Sequence, residues 1–229
     1  MAETLKSPED LVGRSLGSFR IERVLGRGGM GVVYRAVEEG LGRPVAIKVL
    51  PSPWFNPDAS KAAKRFLREA RVIASLNHPN LVHLYQAGEQ DGIIYYAMEF
   101  VEGRTLDRFV RDEGPLRDED LGAFCGQVLG ALGSVHASGV VHRDIKGANI
   151  MYAQGDRWLL MDFGLAAVDS SDASALTQQG AVLGTPETMS PEQVEGSPAT
   201  PASDLYSFGV VLYQADRKST RLNSSHRIR

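Results

Sequence analysis

Short stretches rich in β-branched and aromatic residues, several with alternating apolar and polar positions, dominate the first hundred residues. A period of two is typical of strands. In residues 44–50 this period places Ala46, Lys48 and Leu50 on one face of the strand. The pattern predicts strands at 19–25, 32–37, 44–50, 81–86 and 93–99.

Helical periodicity follows a proline-rich connector. Residues 59–76 carry an apolar stripe that includes Ala70, Ile73 and Leu76, which predicts an amphipathic helix. A longer stripe begins at 118 and predicts a helix that Gly139 ends.

A third helical stretch, residues 205–213, is apolar almost all round. This pattern predicts a buried helix. Ser203 and Asp204 are typical capping residues, and we expect them to begin it. Two apolar runs near 150 and 160 flank a polar turn, which predicts a hairpin.

The composition bounds the class of protein. With 229 residues, 43% of them hydrophobic, the chain can bury a sizeable core as one large domain or two lobes. Cys125 is the single cysteine, which excludes an internal disulfide and a cysteine-based zinc site and suits a reducing cytosol. The first residues lack the pattern of a secretion signal, and no run is apolar enough to span a bilayer.

The formal net charge of −3 is unevenly distributed. Residues 216–229 contain five basic residues and one acid, a net of +4, so the rest of the chain carries −7. A mildly acidic body argues against a nucleic-acid partner bound by bulk charge. It leaves open a nucleotide held in a pocket.

Chemically reactive and charged side chains are concentrated in residues 142–149, His-Arg-Asp-Ile-Lys-Gly-Ala-Asn. Taken singly, Asp144 and Asn149 are ordinary turn residues. Together, His-Arg-Asp-x-Lys-x-x-Asn is the catalytic-loop pattern of protein kinases. The chain therefore resembles a protein kinase, and Lys146 is typical of the Ser/Thr branch. The resemblance implies that Asp144 is the catalytic base, Lys146 neutralises the γ-phosphate and Asn149 holds a metal ion.

A glycine loop, Gly26-x-Gly28-x-x-Gly31, joins the first two predicted strands. Dinucleotide-binding folds have the same spacing, but there the last glycine opens a helix. Here it opens a β-branched run, which favours the kinase-type hairpin over ATP phosphates. On this motif alone, a flexible hairpin turn is an equally good interpretation. By resemblance, Val33 and Ala46 border the nucleotide.

Lys48 is flanked by apolar residues on its own strand face, so its ammonium needs an anion. The stretch resembles the kinase Val-Ala-Ile-Lys strand, whose lysine binds the α- and β-phosphates and pairs with a glutamate, here Glu69. The alternatives are an edge-strand lysine that reaches water and a solvated Glu69 paired with Arg65.

Residues 98–103 resemble the hinge between kinase lobes. The resemblance implies that the backbone of Glu99 and Val101 binds adenine and that Met98 lines the back of the pocket. A plain domain linker is the alternative. Asp162-Phe163-Gly164 lies 18 residues beyond Asp144. It resembles the metal-binding segment of kinases, so Asp162 and Asn149 are expected to hold Mg²⁺.

The segment that follows is rich in Ser, Ala and Gln and resembles a mobile activation loop. Residues 184–192 resemble the substrate-docking loop, with Thr188 and Ser190 departing from the usual aromatic and alanine. Arg143 is expected to bind an anion such as a phosphate group on the following loop, as an arginine at this position of a kinase typically does. The expected phosphate acceptors or regulatory positions are Ser171, Ser174, Thr177 and Thr185. By resemblance, Asp204 braces the catalytic loop.

Together these motifs imply an α+β, bilobal kinase fold. The expected segments are a polar lead-in at 1–18, an N-lobe at 19–98, a hinge at 99–103, a partial C-lobe at 104–215 and a tail at 216–229. The tail lacks apolar periodicity and matches a translated sequencing adapter, so we expect it to be non-native and the C-lobe truncated. A basic disordered tail that binds an acidic partner is the alternative.

The expected function is an ATP- and Mg²⁺-dependent Ser/Thr protein kinase that acts on protein substrates and, through self-association, on itself. We expect the domain in the cytoplasm, with membrane anchoring of the full-length protein left open. A nucleotide-binding pseudokinase or scaffold is disfavoured because the catalytic set is complete. A small-molecule phosphotransferase would not need the docking loop at 184–192.

Overall fold

The computed structural model describes residues 8–28, 31–50, 59–163 and 186–216. In this part of the chain, the N-lobe is an antiparallel sheet in the order β1-β2-β3-β4-β6-β5, accompanied by helix α1. Its elements are β1 Ser15–Leu16, β2 Phe19–Gly28, β3 Gly31–Glu38, β4 Arg43–Val49, α1 Ala59–Ala74, β5 Leu84–Gln90 and β6 Ile93–Glu99.

Strand β4 is buried on both faces, and its period of two sends alternate side chains to opposite sides of the sheet. Val45, Ile47 and Val49 enter an outer core. Ala46 and Leu50 enter a second, inner core that continues into α1 and the C-lobe. Lys48 therefore lies at the inner face, where the two lobes meet.

The segment expected to be a loose lead-in is instead partly folded. A 3-10 turn, Pro8–Leu11, precedes β1. Leu11 and Leu16 are both 2% exposed and pack in the outer core. The expectation was wrong for this part because two leucines in a polar stretch give no periodicity, although each fills a gap beside the sheet.

Strand β5 begins later than predicted. Leu81 forms an isolated bridge with Leu160 of the C-lobe, and the strand starts at Leu84. The β5–β6 turn is a two-residue turn at Asp91 and Gly92, whose φ angles are 51° and 77°. Positive φ at both positions is typical of the type I′ turn, whose backbone twist matches that of the two strands it joins.

The C-lobe contains a small sheet, β7-β8-β9, and four helices in the described residues. Strand β7 and helix α2 were not predicted, because α2 is largely polar; Thr105 caps it by accepting the Arg108 N–H. The elements are β7 Gly103–Thr105, α2 Leu106–Glu113, α3 Asp118–Ala137, β8 Ile150–Ala153, β9 Arg157–Leu160, α4 Pro191–Val194 and α5 Pro201–Asp216.

Helix α3 forms where its apolar stripe predicts it, with Phe124, Val128 and Val135 fully buried. It ends just before Gly139, whose φ is 73°. Its buried face packs in the same core as Trp158 of β9. None of the helices in the described ranges is long and apolar enough to cross a membrane.

Helix α5 differs from its prediction in two respects. It begins at Pro201, so Ser203 and Asp204 lie within its first turn. It is buried on one side only, since Leu205, Tyr206 and Tyr213 are 49 to 53% exposed. The helix is described as far as Asp216, and the rest of the predicted tail, 217–229, lies outside the described residues.

Candidate active site

The inner face of the N-lobe sheet forms one wall of the candidate site. The strand register pairs Val33 with Lys48 and Lys48 with Tyr96, and it pairs Ala46 with Met98. Partners in a ladder project to the same face. The residues predicted from the sequence to surround a nucleotide are therefore neighbours on one surface.

The glycine loop is the antiparallel end of β2 and β3, where Gly28 faces Gly31. At Gly31, φ is 120° and a Cβ would collide with the Val49 carbonyl. Only glycine fits this position. A Cβ at Gly26 or Gly28 would meet open space, so those two glycines leave the exposed loop without side chains that would hold a ligand away.

The predicted hinge follows β6 directly. The Glu99 backbone N–H donates to the His83 carbonyl at 2.8 Å. The chain then crosses into the C-lobe, where Gly103 pairs with Ala153. Thus Glu99 and Val101 lie in a connection tied to a lobe at each end, which distinguishes it from a loose linker.

Lys48 is 5% exposed, and its ammonium forms an ion pair with Asp162 Oδ1. The phenol of Tyr96 donates to the same oxygen at 2.5 Å. Burial, followed by the charge and hydrogen bond of Asp162, raises the Tyr96 pKa well above its ordinary value, so the phenol stays protonated. One carboxylate oxygen thus receives two donors from adjacent strands.

The predicted pair between Lys48 and Glu69 is not made in this structure. Glu69 lies on α1, and its carboxylate is 3.7 Å from the Arg143 guanidinium. The reason is competition: Asp162 satisfies the lysine, and Arg143 offers Glu69 a partner across the cleft. The Arg143 guanidinium is therefore paired with the Glu69 carboxylate in this structure.

Asp144, Lys146 and Asn149 come together as predicted. The Asp144 carboxylate oxygen Oδ2 is 2.8 Å from the Lys146 ammonium and accepts from the Asn149 amide at 2.9 Å. The same amide also donates to the Asp144 backbone carbonyl at 2.8 Å. Asp144 is 8% exposed, so these charges interact with little screening.

The contacts of Asn149 leave its amide oxygen as the group that could bind a cation. Its backbone carbonyl accepts from the Met161 N–H at 2.9 Å. This bond joins the catalytic loop to the segment that contains Asp162. A carboxylate and an amide oxygen suit Mg²⁺, which takes few protein ligands together with phosphate oxygens. The described residues contain no cluster of three or more His, Cys, Asp or Glu that could hold a metal alone. The residues thus fit a cation that arrives with a nucleotide.

Asp204 holds the catalytic loop from behind, as the resemblance implied. Its carboxylate, 1% exposed, accepts the backbone N–H groups of His142 and Arg143, both at 2.8 Å. His136 Nε2 lies 2.8 Å from the same carboxylate. These bonds stabilise Arg143 at a φ of 70°, a conformation that costs a non-glycine residue energy.

The His142 ring is buried under the loop. Its Nε2 donates to the Met161 carbonyl at 3.1 Å, and the ring lies 4.8 Å from that of Phe163. Burial lowers the pKa of His142 from its ordinary 6.5, against the opposing charges of Asp204 and Asp144. The neutral ring joins the catalytic loop to the Asp162 segment.

The described part of the predicted docking loop packs against the catalytic loop. Gln193 Oε1 accepts from the Ser190 hydroxyl and N–H, and its amide donates to the Arg143 carbonyl at 2.9 Å. Thr188 is buried. The Glu192 carboxylate accepts from Ser203 of α5, which lowers its pKa.

Four predicted regulatory residues, Ser171, Ser174, Thr177 and Thr185, lie outside the described residues.

The sequence matches the family model described as "Protein kinase domain" over residues 19–227. The chain belongs to the protein kinase family. It is 41% identical over 214 residues to "Serine/threonine-protein kinase pkn3" of Myxococcus xanthus, across 90% of this chain and 39% of that protein. It is 40% identical over 205 residues to "Serine/threonine-protein kinase PrkC" of Bacillus subtilis, across 89% of this chain and 31% of that protein.

Solved structures of kinases have the same fold. The PknI kinase domain of Mycobacterium tuberculosis matches with a TM-score of 0.73 and 28% identity, over 93% of this chain and 78% of that chain. The apo form of PpkA-294 matches with a TM-score of 0.74 and 26% identity, over 89% and 77%. The chain spans only about a third of the length of the curated relatives named above. The predicted α+β kinase fold is confirmed.

Several residues of this kinase site escaped the sequence analysis. Tyr96 is one, because only the register shows that it lies opposite Lys48. Gln193 could have been found, since Ser190-x-x-Gln193 is a capping-box pattern. His136 gave no sequence signal, because its partner Asp204 is 68 residues away.

Proposed function

We propose that the chain is the catalytic part of an ATP-dependent Ser/Thr protein kinase that phosphorylates hydroxyl groups of protein substrates. The observation that carries the proposal is the catalytic loop, in which Lys146 and Asn149 converge on the Asp144 carboxylate. The names of the curated relatives support the same activity.

In this proposal Asp144 orients the substrate hydroxyl and accepts its proton, a role worth about 10² to 10⁴ in rate. Lys146, 2.8 Å from that carboxylate, neutralises charge on the phosphoryl group as it moves. Because both side chains are fixed before substrate binds, most of the acceleration comes from positioning and charge.

The nucleotide is proposed to lie against the inner face of the sheet. Its adenine would contact the hinge through the Glu99 carbonyl and the Val101 backbone, because the Glu99 N–H is already donated to His83. Lys48 would bind the phosphates, which requires it to leave Asp162. Asn149 and Asp162 would hold Mg²⁺, which neutralises phosphate charge when bound.

Loop phosphorylation is proposed as the activating event. A phosphate on Ser171, Ser174 or Thr177 would carry more charge than Glu69 and would compete with it for Arg143. Glu69 would then be released towards Lys48. If mass spectrometry of the fully active enzyme detected no phosphate in this loop, this part of the proposal would be wrong.

The proposal extends to the setting of the reaction. The single cysteine, Cys125, is free and suits a reducing compartment, which supports the proposal that the domain acts in the cytoplasm. Transfer to a second copy of the chain would account for phosphorylation of its own loop.

The deciding experiment compares Asp144→Asn with Asp156→Asn. Wild-type protein is incubated with radiolabelled ATP, Mg²⁺ and a generic basic protein acceptor, and incorporated label is counted. We expect Asp144→Asn to lose at least about a hundredfold in rate, since it removes the base. The control Asp156 lies in an exposed turn with φ 55°, which asparagine tolerates, so its rate should stay near wild type.

An unlabelled acceptor with wild-type enzyme would overturn the kinase proposal. If that protein still bound nucleotide, the scaffold interpretation would replace it. Label on a sugar or an aminoglycoside, without label on protein, would identify a small-molecule phosphotransferase.

A further inference from the structure

Tyr96 places a polar group in an otherwise apolar part of the kinase core. It is 3% exposed, and its surroundings include Ile73 of α1, Leu84 of β5 and Met98. A buried hydroxyl in such a place is costly unless it has a hydrogen-bond partner. Its partner is Asp162 Oδ1, at 2.5 Å. A bond to an ionised carboxylate is among the stronger hydrogen bonds in proteins.

Tyr96 and Lys48 share this acceptor, because they are partners in the β4–β6 ladder. Their freedom to move differs. Lys48 has a long flexible side chain, and the proposed function requires its ammonium to turn towards nucleotide phosphates. The Tyr96 phenol has two rotatable bonds, and its ring is packed in the inner core. When the lysine leaves, the tyrosine stays.

The orientation of the Asp162 carboxylate depends on its hydrogen-bond partners. The backbone of this residue is left-handed, with a φ of 61°, a conformation that aspartate adopts more readily than most residues. A carboxylate that binds a cation through one oxygen is commonly oriented by a hydrogen bond to the other. Since Tyr96 and Lys48 both bind Oδ1, Oδ2 is the oxygen left to bind a cation.

We infer that Tyr96 is a positioning residue that keeps the Asp162 carboxylate oriented for a divalent cation while Lys48 binds the phosphates. This inference rests on the proposed function. It assigns to a residue of the core strand a part in cation affinity, and it makes that affinity depend on a single hydroxyl group.

The test removes the hydroxyl and keeps the ring, with Tyr96→Phe. Tyr95→Phe is the matched control, since Tyr95 is the next residue, equally buried, in the outer core on the opposite face. Calorimetry measures the affinity for a non-hydrolysable ATP analogue in a series of Mg²⁺ concentrations and in EDTA. Unfolding midpoints without nucleotide report whether each variant is folded.

We expect Tyr96→Phe to raise the Mg²⁺ concentration for half-maximal enhancement of binding about tenfold, the usual loss for a group that orients a metal ligand. The affinity of Tyr96→Phe for the analogue in EDTA should change less than about twofold. For Tyr95→Phe, both the Mg²⁺ concentration for half-maximal enhancement and the affinity in EDTA should also change less than about twofold. Should Tyr96→Phe fail to fold, Tyr96→Met fills the space with a flexible apolar chain and gives the same comparison.

If folded Tyr96→Phe needed the same Mg²⁺ concentration as wild type for half-maximal enhancement, or a lower one, the inference would be overturned and the kinase proposal would stand. Absence of any Mg²⁺-dependent analogue binding in wild-type protein would overturn the inference together with the kinase proposal. Equal weakening in EDTA and in Mg²⁺ would indicate general damage to the pocket and would also overturn it.

Discussion

At the scale of single residues, His142 is neutral and acts as a structural link. Its Nε2–H is bonded to Met161, and its Nδ1 accepts from the Asp144 N–H at 3.4 Å. A second proton would remove that acceptor and place a charge in the core. This is why burial can lower its pKa although the carboxylates of Asp204, Asp144 and Asp162 all act to raise it.

The lowered pKa of His142 predicts acid sensitivity. The unfolded chain binds this proton near pH 6.5, whereas the folded chain resists it, so stability falls as pH drops below 6.5 and is unaffected by this group above it. Urea unfolding of wild type and His142→Phe between pH 7 and 5 should give a shallower acid decline for the variant. Parallel curves would contradict the prediction, as would an NMR titration of His142 at or above 6.5.

At the scale of elements, helix α5 and the catalytic loop act as one unit. Asp204 in its first turn binds two consecutive loop N–H groups, and Ser203 binds Glu192 at the start of α4. A helix therefore fixes two loops at once. The position of the proposed base depends on this helix more than on the conformational preferences of the loop itself.

We predict that Asp204→Asn lowers the free energy of unfolding by about 3 kcal/mol, since it weakens charged hydrogen bonds to buried donors. The rate of phosphate transfer should fall by more than tenfold. Nucleotide affinity should change little, because the proposed nucleotide surface is the inner face of the N-lobe sheet. Denaturant unfolding and calorimetry measure the two effects. Leu205→Ala, at the next and half-exposed position, should change stability by less than about 1 kcal/mol. Equal effects of the two substitutions would refute the argument.

At the scale of the whole molecule, the lobes are joined by more than the hinge. The segment after α1 crosses to β9, where Val82 N–H donates to Leu160 at 2.9 Å and Leu160 N–H donates to Asn80 at 2.8 Å. Gln127 of α3 completes the junction: its amide oxygen accepts from Asn80 at 2.6 Å and from the Trp158 N–H at 2.8 Å. The inner core runs through this junction without a break.

Gln127→Ala should therefore destabilise the chain by about 2 kcal/mol, because it leaves the Trp158 N–H and an Asn80 donor with weaker partners. The loss should appear in one cooperative transition for both lobes, measured by far-UV circular dichroism and tryptophan fluorescence together. Gln154→Ala, in the exposed β8–β9 turn, is the control and should leave stability within about 0.5 kcal/mol. Separate transitions for the two probes would contradict the coupling.

Much of the fold could be predicted because its signals are local. The stripe of α3 and the common face of Ala46, Lys48 and Leu50 in and after β4 follow from periodicity, and the structure confirms both. Helix α2 was not predicted because it is only eight residues long and five of them are charged, so its apolar residues Leu106, Phe109 and Val110 form a stripe of a single turn. The burial of Leu11 and Leu16 escaped prediction because the sheet that covers them is formed by residues far along the chain.

The family and the candidate catalytic residues could be predicted from the sequence, because Asp144, Lys146 and Asn149 lie within six residues and their motif constrains their chemistry. Tertiary structure alone decided which partners these and other charges take. Lys48 pairs with Asp162, 114 residues away, in place of Glu69, and Tyr96 joins them. Ion pairs depend on distances across the cleft between strands, helix and loops, and such distances arise only when the lobes pack together.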